Sequence, residues 1–308
     1  MNVEILLTES EIAEEFADSL EARDLPEKFF YWSPLSAKAW QALARSPLYA
    51  GLSETWRRLA SQTKLMNDSD KNLSLVSLGA GDGTRDRPIL DALLGAGAQL
   101  EYFPVDASQI LIEEACALAE DLEVTTRGLK ADISSPVHLV LAADAAPSNK
   151  LFLMAGNTLA GFEPLGEIKA IANAMHPGDR LALDIEIHSE EAVSNHTGSH
   201  FRRLSLTPLL SVGVSPEQGD LRSEHRHDER REGLHLITHK FRVEEDIRIR
   251  GTSKEILLPR AEWIQLNFQY LCSREAVHWL LESHAGLKIE REVASEDGRF
   301  LALVCRKG

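Results

Sequence analysis

Hydrophobic residues in the middle of this chain fall into short runs, and each run ends in a polar or glycine-rich turn. Leu75, Val76 and Leu78 form an apolar run that leads directly into Gly79-Ala-Gly81-Asp-Gly83. A second run, Glu101-Tyr-Phe-Pro-Val-Asp106, ends in an acid, and a third, Leu122 to Thr126, leads to Leu129-Lys-Ala131-Asp132. Leu151 to Gly156 and Asp179 to Ile187 supply a fourth and a fifth. Runs of this length, bounded by turn residues, predict buried strands. Near the end, Leu287 to Val293 and Arg299 to Cys305 flank the turn Ser295-Glu-Asp-Gly298, the pattern of a hairpin. Helical spacing is expected over residues 8–24, capped by Thr8 or Ser10, over 35–63 and over 274–283. In the second stretch Trp40, Leu43, Leu48, Leu52, Trp56 and Leu59 are the apolar positions.

Between the fifth strand and the last helix the composition changes to Ser, His, Gly and Pro, with strands expected at 233–239 and 245–250. About eighty residues are too many for a plain loop, so they predict an inserted unit that packs with the N-terminal helices. The expected organisation is an N-terminal helical part of a substrate domain (1–60), an α/β core (61–187), an insertion serving as a substrate or lid domain (188–268), and the rest of the core (269–308).

The glycines at every second position allow close backbone approach to a ligand, and the helix that follows points its positive end at it. Asp106 stands where an acid can accept hydrogen bonds from a ribose. Asp132 is placed to accept one from an adenine amino group, or to serve as a loop acid or helix cap. Asn157 and Thr158 end the fourth strand. In an open α/β sheet these strand ends converge on one site. Dinucleotide sites read G-x-G-x-x-G, but here the third glycine comes one residue early. That spacing favours S-adenosylmethionine over a nicotinamide cofactor, the competing enzyme class.

The bulk properties narrow the partners. Among 308 residues, 44% are hydrophobic, and the formal net charge is −15. No cationic excess is available to neutralise phosphates, so neither nucleic acid nor an anionic membrane is the expected partner. The expected acceptor is a small molecule, and the expected state a monomer or weak homodimer. Three scattered cysteines, Cys116, Cys272 and Cys305, suggest neither a disulfide framework nor a zinc site. An acidic N-terminus and the lack of an apolar run of ~20 residues make the cytoplasm the simple expectation. His196 and His200 are four apart, as are His235 and His239, while His225 and His227 flank Arg226. A zinc site needs three or four convergent ligands, so these histidines are expected on a solvated face or at the substrate, with no metal. The charged run 226–231 reads as an exposed loop.

Several segments in order carry a family resemblance. They are Lys28-Phe-Phe-Tyr31, Ser46-Pro-Leu-Tyr49, the glycine turn, Pro104-Val-Asp106-Ala107-Ser108 and Gly156-Asn-Thr-Leu-Ala-Gly161-Phe162-Glu-Pro164. Together they resemble the histidine Nα-methyltransferases of ergothioneine biosynthesis, a family that also includes an N-methyltransferase of a prenylated tryptophan. The resemblance implies a class I methyltransferase fold, a Rossmann-like sheet with an antiparallel last strand, plus a second α+β domain. It also implies methyl transfer from S-adenosylmethionine to an amino-acid nitrogen.

For the cofactor it points to Gly79, Gly81, Gly83, Asp106, Ala107, Ala131, Asp132 and Asn157. Arg85 takes the place of a family lysine beside the cofactor carboxylate. For the acceptor it points to Tyr31, Tyr49, Gly161, Phe162, Asn267 and Gln269. Two acceptor positions depart from the family. Gly161 stands where an asparagine holds the substrate amine, leaving Asn157 to serve instead. Asn267 stands where a glutamate recognises the imidazole, and Gln269 replaces a serine. Losing a buried polar partner costs about 1–3 kcal/mol, so the pocket points away from histidine toward a related amino acid or amine. Positioning supplies most of the acceleration in such a transfer, and Tyr49 and Asn157 are the candidate positioning residues. The alternative from another class is a non-catalytic relative that binds S-adenosylmethionine and serves as a partner-binding subunit.

Overall fold

The structure, a computed structural model, describes residues 2–62, 72–147, 149–250 and 254–308. The chain opens with a three-residue strand, β1 (Val3–Ile5), and then α1 (Glu9–Ala22). Thr8 caps α1 in a reciprocal box: the Glu11 N–H donates to Thr8 Oγ1, and the Thr8 N–H donates to Glu11 Oε2. Next come α2 (Phe29–Trp32), α3 (Pro34–Ala44) and α4 (Ala50–Gln62). Thr63, the last residue of the expected helical stretch, lies outside the described residues.

The core alternates strand and helix: β2 (Asn72–Leu78), α5 (Arg87–Gly95), β3 (Gln99–Asp106), α6 (Gln109–Asp121), β4 (Thr125–Thr126), β5 (Gly128–Lys130), α7 (Pro136–Ala145), β6 (Lys150–Met154), α8 (Pro164–Ala174) and β7 (Arg180–Glu186). The insertion supplies α9 (Glu190–His196), α10 (Ser199–Ser211), β8 (Gly219–His227), β9 (Leu234–Val243), β10 (Ile247–Ile249), β11 (Ile256–Leu258) and β12 (Trp263–Cys272). Then α11 (Arg274–His278), continued by a π-helical turn through His284, leads to the hairpin β13 (Leu287–Ala294) and β14 (Phe300–Lys307).

The main sheet has the order β1-β5-β3-β2-β6-β7-β14-β13, with β4 attached to β3. Pairing is parallel from β1 to β7, and β14 runs antiparallel to both β7 and β13. This is the class I methyltransferase sheet. Strand order reverses at β2, whose neighbours are β3 and β6, so a crevice opens beyond the carboxyl ends of these strands. Side chains of β2 alternate between two cores: Val76 and Leu78 join one, Leu73 and Leu75 the other.

A third core joins α1 and α2 to the insertion, with Ile12, Phe16, Phe29 and Phe30 against Leu209, Phe241, Ile256 and Ile264. Helix α4 packs on the main sheet instead, placing Leu52, Trp56 and Leu59 in the second core. The expected boundary at residue 268 falls inside β12, whose pairing with β9 continues to Cys272.

Two other expectations need correction, and one strand was not expected. Leu122 to Val124 close α6 rather than forming a strand, and β5 takes the place beside β3 in the sheet. Strand β8 has one buried residue, Leu221, so it lacks the apolar pattern that marks a strand. Arg226 belongs to β8, so only the later part of the charged run is a turn. Cys116, Cys272 and Cys305 are all buried thiols. Among the described residues, no helix is long and apolar enough to cross a membrane.

Candidate active site

The ends of β2, β3, β5 and β6 meet in one cavity, roofed by α2, α3 and α10. Gly79, Gly81, Arg85, Asp106, Ala107, Ala131, Asp132 and Asn157 all line it, as do Tyr31, Tyr49, Gly161, Phe162 and Gln269. Gly79, Gly81 and Gly83 have φ of +69°, +56° and +76°, a region that side chains disfavour. Space is equally restrictive at Gly81, where a Cβ would lie 2.4 Å from Cη2 of Trp40. Trp40, which sequence reasoning treated only as a helical apolar position, therefore lies against the turn and walls the cavity. Gly83 does not line the cavity; it lets the turn pack on Ala115, 3.1 Å from the position its Cβ would take.

Asp106 is fixed by the turn it faces. Its Oδ2 accepts from the Gly81 N–H at 2.9 Å and its Oδ1 from the Ser108 N–H at 2.8 Å. Burial lifts its carboxyl to about 6 against the pull of these bonds. Asp132 behaves oppositely. Burial acts to raise it, but Lys28 Nζ at 2.7 Å and the N–H and Oγ of Ser134 hold it below the usual carboxylate range. Lys28 also pairs with Glu15, so the N-terminal segment is tied to the Asp132 end of the cavity.

Arg85 donates to Ser53 Oγ at 2.5 Å and to the Ala44 carbonyl, with its guanidinium 5.7 Å from the Tyr49 ring centre. Burial lowers its pKa.

Beneath the cavity is a buried polar layer that the sequence did not reveal. Asp184 accepts from the N–H groups of Gly156 and Asn157 at 2.7 and 2.5 Å, and from Trp56 Nε1 at 2.6 Å. Burial raises it to about 6. Asn157, in the left-handed region at φ +61°, accepts from the Glu186 N–H at 2.9 Å and donates toward Glu186 Oε2 at 3.4 Å. Its amide thus braces the strand end and lies beside Tyr49, whose hydroxyl is pushed up by burial. Glu186 bonds His196 Nε2 at 2.7 Å and Arg299 at 2.8 Å. Burial opposes its ionisation, yet His196 and Arg299 hold it below 4.5.

His196 is therefore a buried hydrogen-bond partner of Glu186, while His200 is exposed. Removing His196 takes one buried partner from Glu186, which keeps Arg299. His196→Ala should thus lower stability by roughly 1–3 kcal/mol in denaturant unfolding, with His200→Ala close to neutral. The contribution of Glu186 is fully present above 4.5 and fades as pH falls through its lower folded value.

Around the residues expected to hold the acceptor, two positions depart from expectation. Asn267 does not line the cavity; its Oδ1 accepts from Ser205 Oγ at 2.7 Å, and its Nδ2 is buried without a partner. A bulge between Gln265 and Phe268 breaks the alternation of β12, so spacing from Gln269 misplaces Asn267. Gln269 does reach the cavity, alongside Phe201 and Leu204 of α10, which no motif signalled.

The second departure is Glu27. Its carboxyl fills the space beside Gly161, where a Cβ would lie 2.7 Å from Glu27 Oε1. Tyr31 donates to Oε1, whereas Oε2 is buried without a partner. Burial lifts this carboxyl to about 8 against that hydrogen bond.

The glycine turn, the acids after β3 and β5 and the enclosed wall fit S-adenosylmethionine, with Asp106 available to ribose hydroxyls and Asp132 to the adenine end. Residues 10–196, well over half the chain, match the family described as histidine-specific methyltransferase, SAM-dependent. Histidine N-alpha-methyltransferase of Mycobacterium tuberculosis (strain CDC 1551 / Oshkosh) is 24% identical over 173 residues, which cover 55% of this chain and 53% of that protein. The chain thus spans about half the length of the curated relative it matches.

Among solved structures, an S-adenosylmethionine-dependent methyltransferase from Clostridium acetobutylicum ATCC 824 is 14% identical with a TM-score of 0.47, covering 88% of this chain and 98% of that one. The 1,6-didemethyltoxoflavin-N1-methyltransferase of Burkholderia thailandensis, solved with 1,6-didemethyltoxoflavin and S-adenosylhomocysteine, is 12% identical with a TM-score of 0.47, covering 99% and 93%. The chain belongs to the family of histidine-specific, S-adenosylmethionine-dependent methyltransferases.

Proposed function

We propose that this methyltransferase acts on a nitrogen of an amino acid or amino-acid-like amine other than histidine. The observation that carries this reading is the buried carboxyl of Glu27, packed directly behind the cavity-lining Gly161 and Tyr31, though not itself part of the lining, with one oxygen unpartnered. A carboxyl in so dry a place is mostly protonated near pH 7, and a cationic nitrogen beside it would favour its ionised form. The neutral Gln269 supplies a hydrogen-bonding wall but no charge for an imidazolium.

When bound, the cofactor supplies an electrophilic methyl group on a sulfonium. An amine reaches the site as an ammonium and must lose a proton before its lone pair can form the new N–C bond. A carboxyl raised to about 8 is better matched to take that proton than an exposed one. Tyr31 holds Oε1 in place, leaving Oε2 as the proton's destination. Phe162, Phe201 and Leu204 exclude water, and the Asn157–Glu186–Asp184 layer keeps the floor rigid.

The test is a screen of amino acids and primary and secondary amines for release of S-adenosylhomocysteine. Turnover is expected with an amine other than histidine, with the methyl group on nitrogen by mass spectrometry. Turnover on histidine alone, or methylation at oxygen or carbon, would overturn the reading. Tight cofactor binding without any turnover would favour a partner-binding subunit.

A further inference from the structure

We propose that His188, His225 and His235 form a transition-metal site of the zinc class, outside the methyl-transfer cavity. The three residues come from different parts of the chain: His188 lies just past β7, His225 on β8 and His235 on β9. One ligand nitrogen from each lies within 4.8 Å of the others. None of the three lines the methyl-transfer cavity.

The cluster is already half closed. His188 stacks on His235 with ring centres 3.4 Å apart, and His225 Nε2 lies 3.3 Å from His235 Nδ1. His235 is 6% exposed, and Nε2 of His188 is buried without a partner. Histidines crowded in this way are costly as cations. Burial and the neighbouring histidines disfavour the cationic forms of His235 and His188. An all-imidazole donor set selects zinc, nickel, cobalt or copper over magnesium and calcium.

Tetrahedral zinc, with bonds of about 2.0–2.1 Å, needs ligand nitrogens about 3.3–3.4 Å apart. The nearly parallel rings must therefore turn to point at one ion, and His225, on the exposed side of β8, has room to do so. His227 pairs with His235 across the ladder, with ring centres 4.4 Å apart, so it or water takes the fourth position. Spacing along the chain concealed the site, because the four-apart pairs are not the ones that converge. A bound ion would fasten the end of β7, which carries Asp184 and Glu186, to the β8–β9 hairpin.

The test uses the full chain stripped with a chelator and titrated calorimetrically with zinc and with nickel. One ion per chain is expected, with His188→Ala and His225→Ala each weakening binding about tenfold or more. Zinc should raise the unfolding temperature of the parent but not of His225→Ala. His225 is exposed, so that variant should fold, which its unchanged affinity for S-adenosylhomocysteine would show. Cobalt should give the visible absorption of a low-coordinate nitrogen site. Loss of affinity in His227→Ala assigns it as the fourth ligand and retention assigns water, and both keep the site. Absence of saturable binding by either ion, or binding undiminished in both His188→Ala and His225→Ala, would overturn the proposal whatever the enzyme methylates.

Discussion

Asp106→Ala should weaken S-adenosylhomocysteine binding by about 100-fold or more. Hydrogen bonds to a charged group contribute about 1.5–3 kcal/mol each, and two ribose hydroxyls are within the chemistry of this acid. The same substitution frees the N–H groups of Gly81 and Ser108, so the glycine turn also loses its anchor. Asp106→Asn keeps one acceptor oxygen and should fall between the two. Because the carboxyl lies near 6, affinity of the parent protein should decline as pH drops through that value. Calorimetry across pH 5 to 8 checks both expectations, with thermal unfolding to show that the variants fold. Affinity unchanged in Asp106→Ala would remove the acid from the cofactor site.

The second large effect is expected at Glu27. Glu27→Gln retains the shape that fills the space beside Gly161 but cannot take a proton. General-base catalysis contributes about 100- to 10,000-fold, and kcat/KM for an amine acceptor should fall within that range. In the parent protein, kcat/KM should rise with pH through about 8 as the carboxyl ionises, and this inflection should vanish in the variant. Affinity for S-adenosylhomocysteine should be unaffected. A variant that keeps the parent's pH profile and rate would assign Glu27 a packing role only.

The contrast between these two sites explains what could be read from sequence. The cofactor half was legible because it depends on backbone: alternating glycines after an apolar run, then acids at successive strand ends. Those features carry both a spacing and a chemical identity. The acceptor half has neither. Phe201 and Leu204 are ordinary helix residues until α10 is packed over the cavity, and Glu27 precedes a recognisable segment without belonging to a pattern. Asn267 was misplaced by a single bulge, since one extra residue switches the face of everything beyond it. Strand β8 escaped for a related reason, because an edge strand in solvent has polar residues on both faces. Glu186 and His196 are ten residues apart, and only the turn of chain from β7 into α9 brings them together.

One short segment, Glu27 to Tyr31, touches both halves. Lys28 holds Asp132 at one end, while Glu27 and Tyr31 meet each other beside Gly161 at the other. The stretch is already fixed, with Phe29 and Phe30 buried in the third core, so a ligand that shifts one end of it must carry the other end along. By reciprocity, any coupling that follows has the same size in both directions. A substitution that loosens the segment would thus appear as lost cooperativity between cofactor and acceptor, even where neither has lost a contact of its own.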